Sequence, residues 1–534
     1  MRISLLLYAI SQIAQAQSLG VSPTARLGAI DVYTTFRLPR ANEGALTEKI
    51  APFGVVKRSQ ALGVAFSTAT EAWRDAQAQF ANLDAIEPVW PSHSADFTGT
   101  KASALNRLLD RTLVVRVSAA TLDVDEPIRI THSGTFLSLE GVRLSAVVPL
   151  PYMLRIENAG NVVLTGGEFM RGESAILVNR SHQVVVSDVH IRDLTEAGVV
   201  ITHSSNVVVR DNKMHGLGGA AVILHGGTSS SVAERNEIAA NRGVSNMSAA
   251  IVVSDRDVDL TMRASVLEGP DHYWVVSQPM IKRLQPPHNN LIVMNHLAAN
   301  NSSAVYIDGA TANVIALNVI EGNAKEGICL DNGATANVVT LNDVLQNGGR
   351  SGEPDSIMEK ESIKAGGRLP DGTPAEKVPG ISIDNAIYNI IFSNNVAHNF
   401  GGGIKIVRTG YFNVIGLNTI LSNNEGAGDI YHFFGIELGS APLDFPDETL
   451  DYTPSRGNIV FSNTIRGSHY AGIFFAAGSD LNDVFDNVIM DAQHWALESV
   501  LPMANSSLNN LTNLESRNID SGLSPALIEA GRPH

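Results

Sequence analysis

Three aspartates close three short segments of one pattern: Val305-Tyr306-Ile307-Asp308, Ile328-Cys329-Leu330-Asp331 and Ile381-Ser382-Ile383-Asp384. A fourth segment, Ile404-Lys405-Ile406, is followed by Arg408, and a fifth carries Glu437. Carboxylates held close together repel, so one keeps its proton at a pH where its neighbour is ionised. That pairing is what cleavage of a glycosidic bond needs: one carboxyl protonates the leaving oxygen while another activates water or attacks carbon. Lys405 and Arg408 would bind the substrate beside them. Tyr306, His225, Glu326 at the turn into Ile328 and His432 at the turn before Glu437 are further binding candidates.

An aspartate at a strand end also has a plainer use, accepting hydrogen bonds from turn amides. For a single aspartate that use suffices; three in register beside cations favour a functional site, where perturbed carboxylates gather. Cys329 has no adjacent histidine to activate it and reads as a packed thiol.

The aspartates can be neighbours only if the segments that carry them are stacked, and the chain repeats itself in the way stacking requires. An Asn-x-x-x-x-Asn unit recurs at Asn290/Asn295, Asn313/Asn318, Asn337/Asn342, Asn389/Asn394, Asn413/Asn418, Asn458/Asn463 and Asn482/Asn487, at intervals of 23, 24, 52, 24, 45 and 24 residues. A weaker copy runs from Asn206 to Asp211. The two long intervals are one coil plus an insertion, which a solenoid tolerates as a surface loop. Within each unit β-branched and polar residues alternate over three to five positions, the period of a strand and not of a helix. Several short strands per coil of about 22–24 residues, separated by Gly and Asn turns, describe an all-β parallel β-helix. Equivalent asparagines would then stack about 4.8 Å apart and bond to one another and to backbone as a ladder.

The strings "NVVLTGG", "QVVVSDVHI", "NVVVRDNKM" and "NNLIVMNHL" carry a resemblance to the right-handed parallel β-helix (pectin-lyase-like) superfamily over residues 112–500. The resemblance implies a right-handed solenoid. Polygalacturonase-like glycosidases of this fold carry stacked aspartates, then a His-bearing rung, then an Arg-x-Lys strand. Here Asp308, Asp331, Asp384 and Lys405-x-x-Arg408 follow a similar order, with Asp384 in "GISIDN" where those enzymes have Gly-His-Gly. The resemblance supports the reaction class: an enzyme acting on a polysaccharide or oligosaccharide, foremost a glycoside hydrolase. A polysaccharide lyase or uronate epimerase is the alternative, with Ca²⁺ held by Asp308, Asp331, Asp384 and Glu437 and the C5 proton removed by Lys405 or Arg408. No D-P-H motif of the mannuronan epimerase kind occurs. Hydrolysis needs no cofactor. A third reading is non-catalytic: a glycan binder or a NosD-like periplasmic protein.

Aligning the strands gives two outward columns. One reads Asn179, Thr202, His225, Ser254, Asp308, Asp331, Asp384, Val407, Gly439, Ala476; the other reads Leu177, Val200, Ile223, Val252, Tyr306, Cys329, Ser382, Lys405, Glu437, Phe474. Three long insertions, 255–288, 350–379 and 440–456, bracket these columns as loops over one face, and such loops on a rigid scaffold wall clefts. His272, Tyr273 and Trp274 in the first would stack on a sugar or anchor the loop.

A net charge of −16 argues against nucleic acid as a partner. Met1-Arg2, an apolar run from Ile3 to Ile10 and Ala14-Gln15-Ala16 form a secretory signal over 1–16, so the protein is expected to be secreted or periplasmic, without a membrane span. One cysteine rules out an intramolecular disulfide framework. Residues 17–111 lack the repeat and contain two helical patterns, 67–83 and 101–111, the second capping an open coil end. Residues 501–534 form a C-terminal cover. Monomer and homotrimer are both compatible with the fold.

Overall fold

The computed structural model describes residues 94–243, 248–255, 285–348, 378–407, 410–423, 434–439, 455–467, 471–475, 479, 482–485 and 487–490, with strands at 495–499, 510–512 and 515–516. The expected signal segment, the 67–83 helical pattern, most of the three insertions, Arg408, His432 and the His272-Tyr273-Trp274 run lie outside these residues.

Each coil contributes one strand to each of three parallel sheets. In the coil that begins at Val305, the strand Val305–Asp308 belongs to sheet I, Val314–Ala316 to sheet II and Val319–Glu321 to sheet III. Among the described residues the sheets hold 13, 15 and 14 strands, and each strand pairs with its equivalent one coil away. This is a parallel β-helix, right-handed as such crossovers are. Its sheets run from Ala95 to Ser516, so strands occur on both sides of the expected 112–500 span. The helix Ala102–Leu109 buries Ala102, Leu105 and Leu109 against the first coils.

Alternation decides what lies inside. Val305 and Ile307 point into a core that continues through Ile328, Leu330, Ile381, Ile383, Ile404 and Ile406, so Tyr306 and Asp308 and their equivalents face the other way. At about 25 cal/mol per Å² of apolar surface removed from water, this continuous apolar axis is the main stabilising term.

The corners turn by a repeated device. Among the described residues, one in the left-handed region precedes each ladder asparagine, as at Ala312 (φ 56°), Leu317 (φ 57°) and Gln346 (φ 53°). Such a conformation costs a non-glycine residue about 1 kcal/mol or more. The asparagine offsets it. Asn318 Nδ2 donates to the Ile292 carbonyl at 3.0 Å and to Asn342 Oδ1 at 2.9 Å, and its backbone N–H donates to the same oxygen at 3.0 Å. With Asn295 donating to its Oδ1, the polar atoms of the buried Asn318 amide are partnered across three coils. The expected ladders at the first two corners are present, and the third corner has one as well, through Asn300, Asn323, Asn347, Asn399 and Asn423. The sequence carried that signal as a third asparagine five positions beyond the second.

Candidate functional site on the outer face of sheet I

Among the described residues the outward columns form in register from Asn179 to Val407 and from Leu177 to Phe474. Thr202 pairs with His225, His225 with Ser254, Ser254 with Asp308, and Asp308 with Asp331. Leu330 pairs with Ile383, which sets Asp384 on the next rung, and Asp384 pairs with Val407. In the second column Tyr306 pairs with Cys329, Cys329 with Ser382, Ser382 with Lys405, and Lys405 with Glu437. Neighbouring strands stand about 4.8 Å apart, so Asp308 and Asp384 are two rungs, roughly 10 Å, from each other.

The carboxylates differ in what holds them. Asp308 is fully buried, and its Oδ2 accepts the Ser254 hydroxyl at 2.9 Å. Asp331 is half-buried; its Oδ2 accepts the Tyr306 hydroxyl at 2.9 Å and its Oδ1 accepts the Asn332 backbone N–H at 2.6 Å. Asn332 Nδ2 donates in turn to the Tyr306 oxygen at 3.2 Å. One oxygen of Asp331 therefore does serve a turn amide, while the other is fixed by a side chain from the preceding coil. Both carboxylate oxygens of Asp331 thus accept a hydrogen bond from a fixed donor. Asp384 is 8% exposed, and Glu437, also buried, pairs with Lys405 at 3.3 Å.

The other candidates are dispersed. His225 is buried in the Asp308 column but two rungs away. Glu326 sits where the chain enters sheet I, accepting the Ser303 hydroxyl at 2.9 Å. Cys329 is buried between Tyr306 and Ser382, the packed position expected of it. Among the described residues no group of three or more His, Cys, Asp or Glu side chains is placed to hold one metal ion, and no helix is long and apolar enough to cross a membrane.

The role of Asn332 as support for Tyr306 was not legible beforehand; only its place after Asp331 hinted at it. Also unforeseen are half-buried aromatics at the corner after sheet I. Tyr388 and Phe412 stack with ring centres 5.3 Å apart, and burial pushes the Tyr388 hydroxyl above its usual range.

Residues 128–275 match a family model described as a right handed beta helix region, and residues 283–352 match one described as periplasmic copper-binding protein (NosD). No curated protein matches the chain by sequence. Similar solved structures include the A-module of the Azotobacter vinelandii mannuronan C-5 epimerase AlgE6, 12% identical, covering 83% of this chain and 94% of that one, with a TM-score of 0.43. The Streptococcus pneumoniae surface protein and adhesin PfbA is 12% identical over 79% of this chain and 100% of its own, TM-score 0.43. A hyperthermoactive exopolygalacturonase from Thermotoga maritima is 10% identical over 82% and 96%, TM-score 0.41.

Proposed function

We propose that the protein is an exported carbohydrate-active enzyme that cleaves a polysaccharide or oligosaccharide by glycoside hydrolysis on the outer face of sheet I. The observation that carries this reading is the register of Asp308, Asp331 and Asp384 on successive rungs. Asp331, held as an acceptor by Tyr306 and Asn332, is the base or nucleophile. Asp308 and Asp384 flank it, and one of them supplies the proton to the leaving oxygen. Retaining glycosidases place their two carboxyls about 5 Å apart and inverting ones about 6.5–9.5 Å, separations that side chains on adjacent and alternate rungs can reach. Lys405, paired with Glu437, offers a cation one column over for a polar or carboxylated sugar. The mechanism invokes no metal. Export rests on the N-terminal signal pattern.

The test is a panel of soluble polysaccharides assayed for new reducing ends. Wild-type protein is expected to cleave at least one, and Asp331→Asn to lower the rate about 10³-fold with an unchanged melting temperature, general acid–base roles being worth roughly 10²–10⁴. Products absorbing as unsaturated uronates, formed in a chelator-sensitive manner, would replace hydrolysis by the lyase reading. The NosD match over 283–352 spans the Asp308 and Asp331 rungs and favours a second reading, a non-catalytic periplasmic binding protein. Binding without cleavage, retained in Asp331→Asn, would establish that one.

A further inference from the structure

The corner between sheets II and III changes character along the solenoid. On its downstream coils the last outward position of sheet II is apolar or small, passing through Val293, Ala316 and Thr340 to Phe392. Upstream the same column reads Ser138, Thr165, Ser187, Arg210 and Glu234, paired in register. Across the corner the first position of sheet III reads Arg143, Glu168 and His190. Between these two polar walls lies a cavity of about 960 Å³. Its floor includes Gly166, in the left-handed region at φ 71°, where an added Cβ would come within 2.8 Å of the Glu140 backbone.

The polar groups are fixed before any ligand arrives. Glu168 accepts Arg192 Nε at 2.7 Å and Arg143 Nε at 2.9 Å. Arg235 forms a two-pronged pair with Asp211 at 2.7 and 2.6 Å. Arg210 is only 7% exposed at the cavity wall. Ser138, which also lines it, is fully buried, and its Oγ has no hydrogen-bond partner. The Arg192 hydrogen bond holds the Glu168 carboxyl below its ordinary range, and burial, reinforced by His215, holds His190 low and therefore neutral.

We propose that this trough is a second, non-catalytic binding site for an uncharged oligosaccharide lying along the solenoid axis. The lining arginines are matched by Glu140, Glu168, Asp188 and Asp211, so no net cationic field is left to select an anion. The walls lack the apolar and aromatic lining that a lipid or drug-like ligand requires. They offer hydroxyls, carboxylate oxygens and guanidinium N–H groups, repeated at the strand spacing of about 4.8 Å, a pitch close to one sugar ring. Five coils offer a run of sugar rings donors and acceptors at each step. The inference does not depend on cleavage at Asp331, which lies on another sheet.

Titration calorimetry on the full chain with cellohexaose, laminarihexaose, maltohexaose and xylohexaose tests it, with hexagalacturonate and inorganic sulfate as charged probes. At least one neutral hexaose is expected to bind, and Arg235→Gln to weaken it by about tenfold or more, equivalent to about 1.4 kcal/mol. Should Arg235→Gln fail to fold by circular dichroism, Glu140→Ala on the exposed rim is the substitute and is expected to weaken binding in the same direction. Asp331→Asn is expected to leave this affinity unchanged. The proposal is overturned if no neutral hexaose binds, if only the charged probes bind, if the trough variants bind as wild type does, or if Asp331→Asn abolishes binding.

Discussion

The coils from residue 152 to 239 and those from 290 to 490 are built to the same plan. They share an asparagine ladder at the sheet II/III corner, which begins at Asn212 and Asn236, but they differ at the sheet I/II corner and on the outer surface. Upstream, several strands are six residues long, such as Ser174–Asn179, His182–Ser187 and Ser205–Arg210. Their sheet I/II corner is tied by serines: Ser204 Oγ accepts the Ser181 N–H at 3.1 Å and donates to the Thr202 carbonyl at 2.8 Å. Ion pairs cover their outer surface, among them Arg192–Glu168, Arg235–Asp211 and Lys213–Glu237. Downstream, most strands shorten to three or four residues, and all three corners carry stacked asparagines. An amide ladder fixes the corner whatever faces outward, which leaves the outer columns free to hold residues that do nothing for the fold. The carboxylates of sheet I occupy the coils where the scaffold is most self-sufficient.

That contrast can be broken or sharpened by substitution. Asn342 is the strongest point of attack: it donates to the Ile315 carbonyl and to Asn394, and accepts two hydrogen bonds from Asn318. Asn342→Ala strands several buried polar groups at once and is expected to cost about 4 kcal/mol in urea unfolding. Ser204→Ala, its upstream counterpart, removes one hydroxyl that makes neutral bonds and is expected to cost about 1 kcal/mol. Equal costs would show that the asparagine corners are no firmer than the serine ones.

The smallest effect concerns pH and should be confined to the upstream coils. Burial, then His215, lowers the His190 pKa from 6.5, against an opposing pull from Glu168 and with Arg192 and Lys213 adding to the depression. A folded-state value below the unfolded one means that stability present above about pH 6.5 is lost as pH falls through the folded value. Glu168, also depressed, behaves alike at lower pH, from its ordinary 4.5 downward. Glu196, raised chiefly by burial, works in the opposite sense, its stabilisation being present at low pH and lost as pH rises. Comparing wild type with His190→Gln isolates the histidine: from about pH 7.5 to about pH 5.5 the wild type should lose stability relative to the variant, and amide exchange should place the loss in residues 168–239. Parallel pH profiles would remove His190 as the cause.

Legibility follows from how each feature is encoded. The outward columns are legible because alternation and coil length leave one register for each strand, and Leu177, Val200, Ile223, Val252, Tyr306 and Cys329 do pair in that order. The third asparagine ladder is equally written in the chain, as an asparagine five positions beyond the Asn-x-x-x-x-Asn units from Asn290/Asn295 to Asn413/Asn418, which themselves mark only two corners out of three. The trough at the upstream corner had no motif at all, since its walls come from serines, arginines and acids that look like any solvated face until two sheets bring them together.

By itself, then, the amino-acid order determined the coil, its three strands, what points inward and which aspartates share a column, because a two-residue alternation and a recurring buried amide admit few arrangements. Only the tertiary structure decided that the Tyr306 hydroxyl reaches Asp331, that Ser254 donates to Asp308 from a strand 54 residues away in the chain, and that Arg235 clasps Asp211. Those pairings depend on side-chain rotamers and on where the insertions let the next coil resume, and neither is recorded in a periodicity.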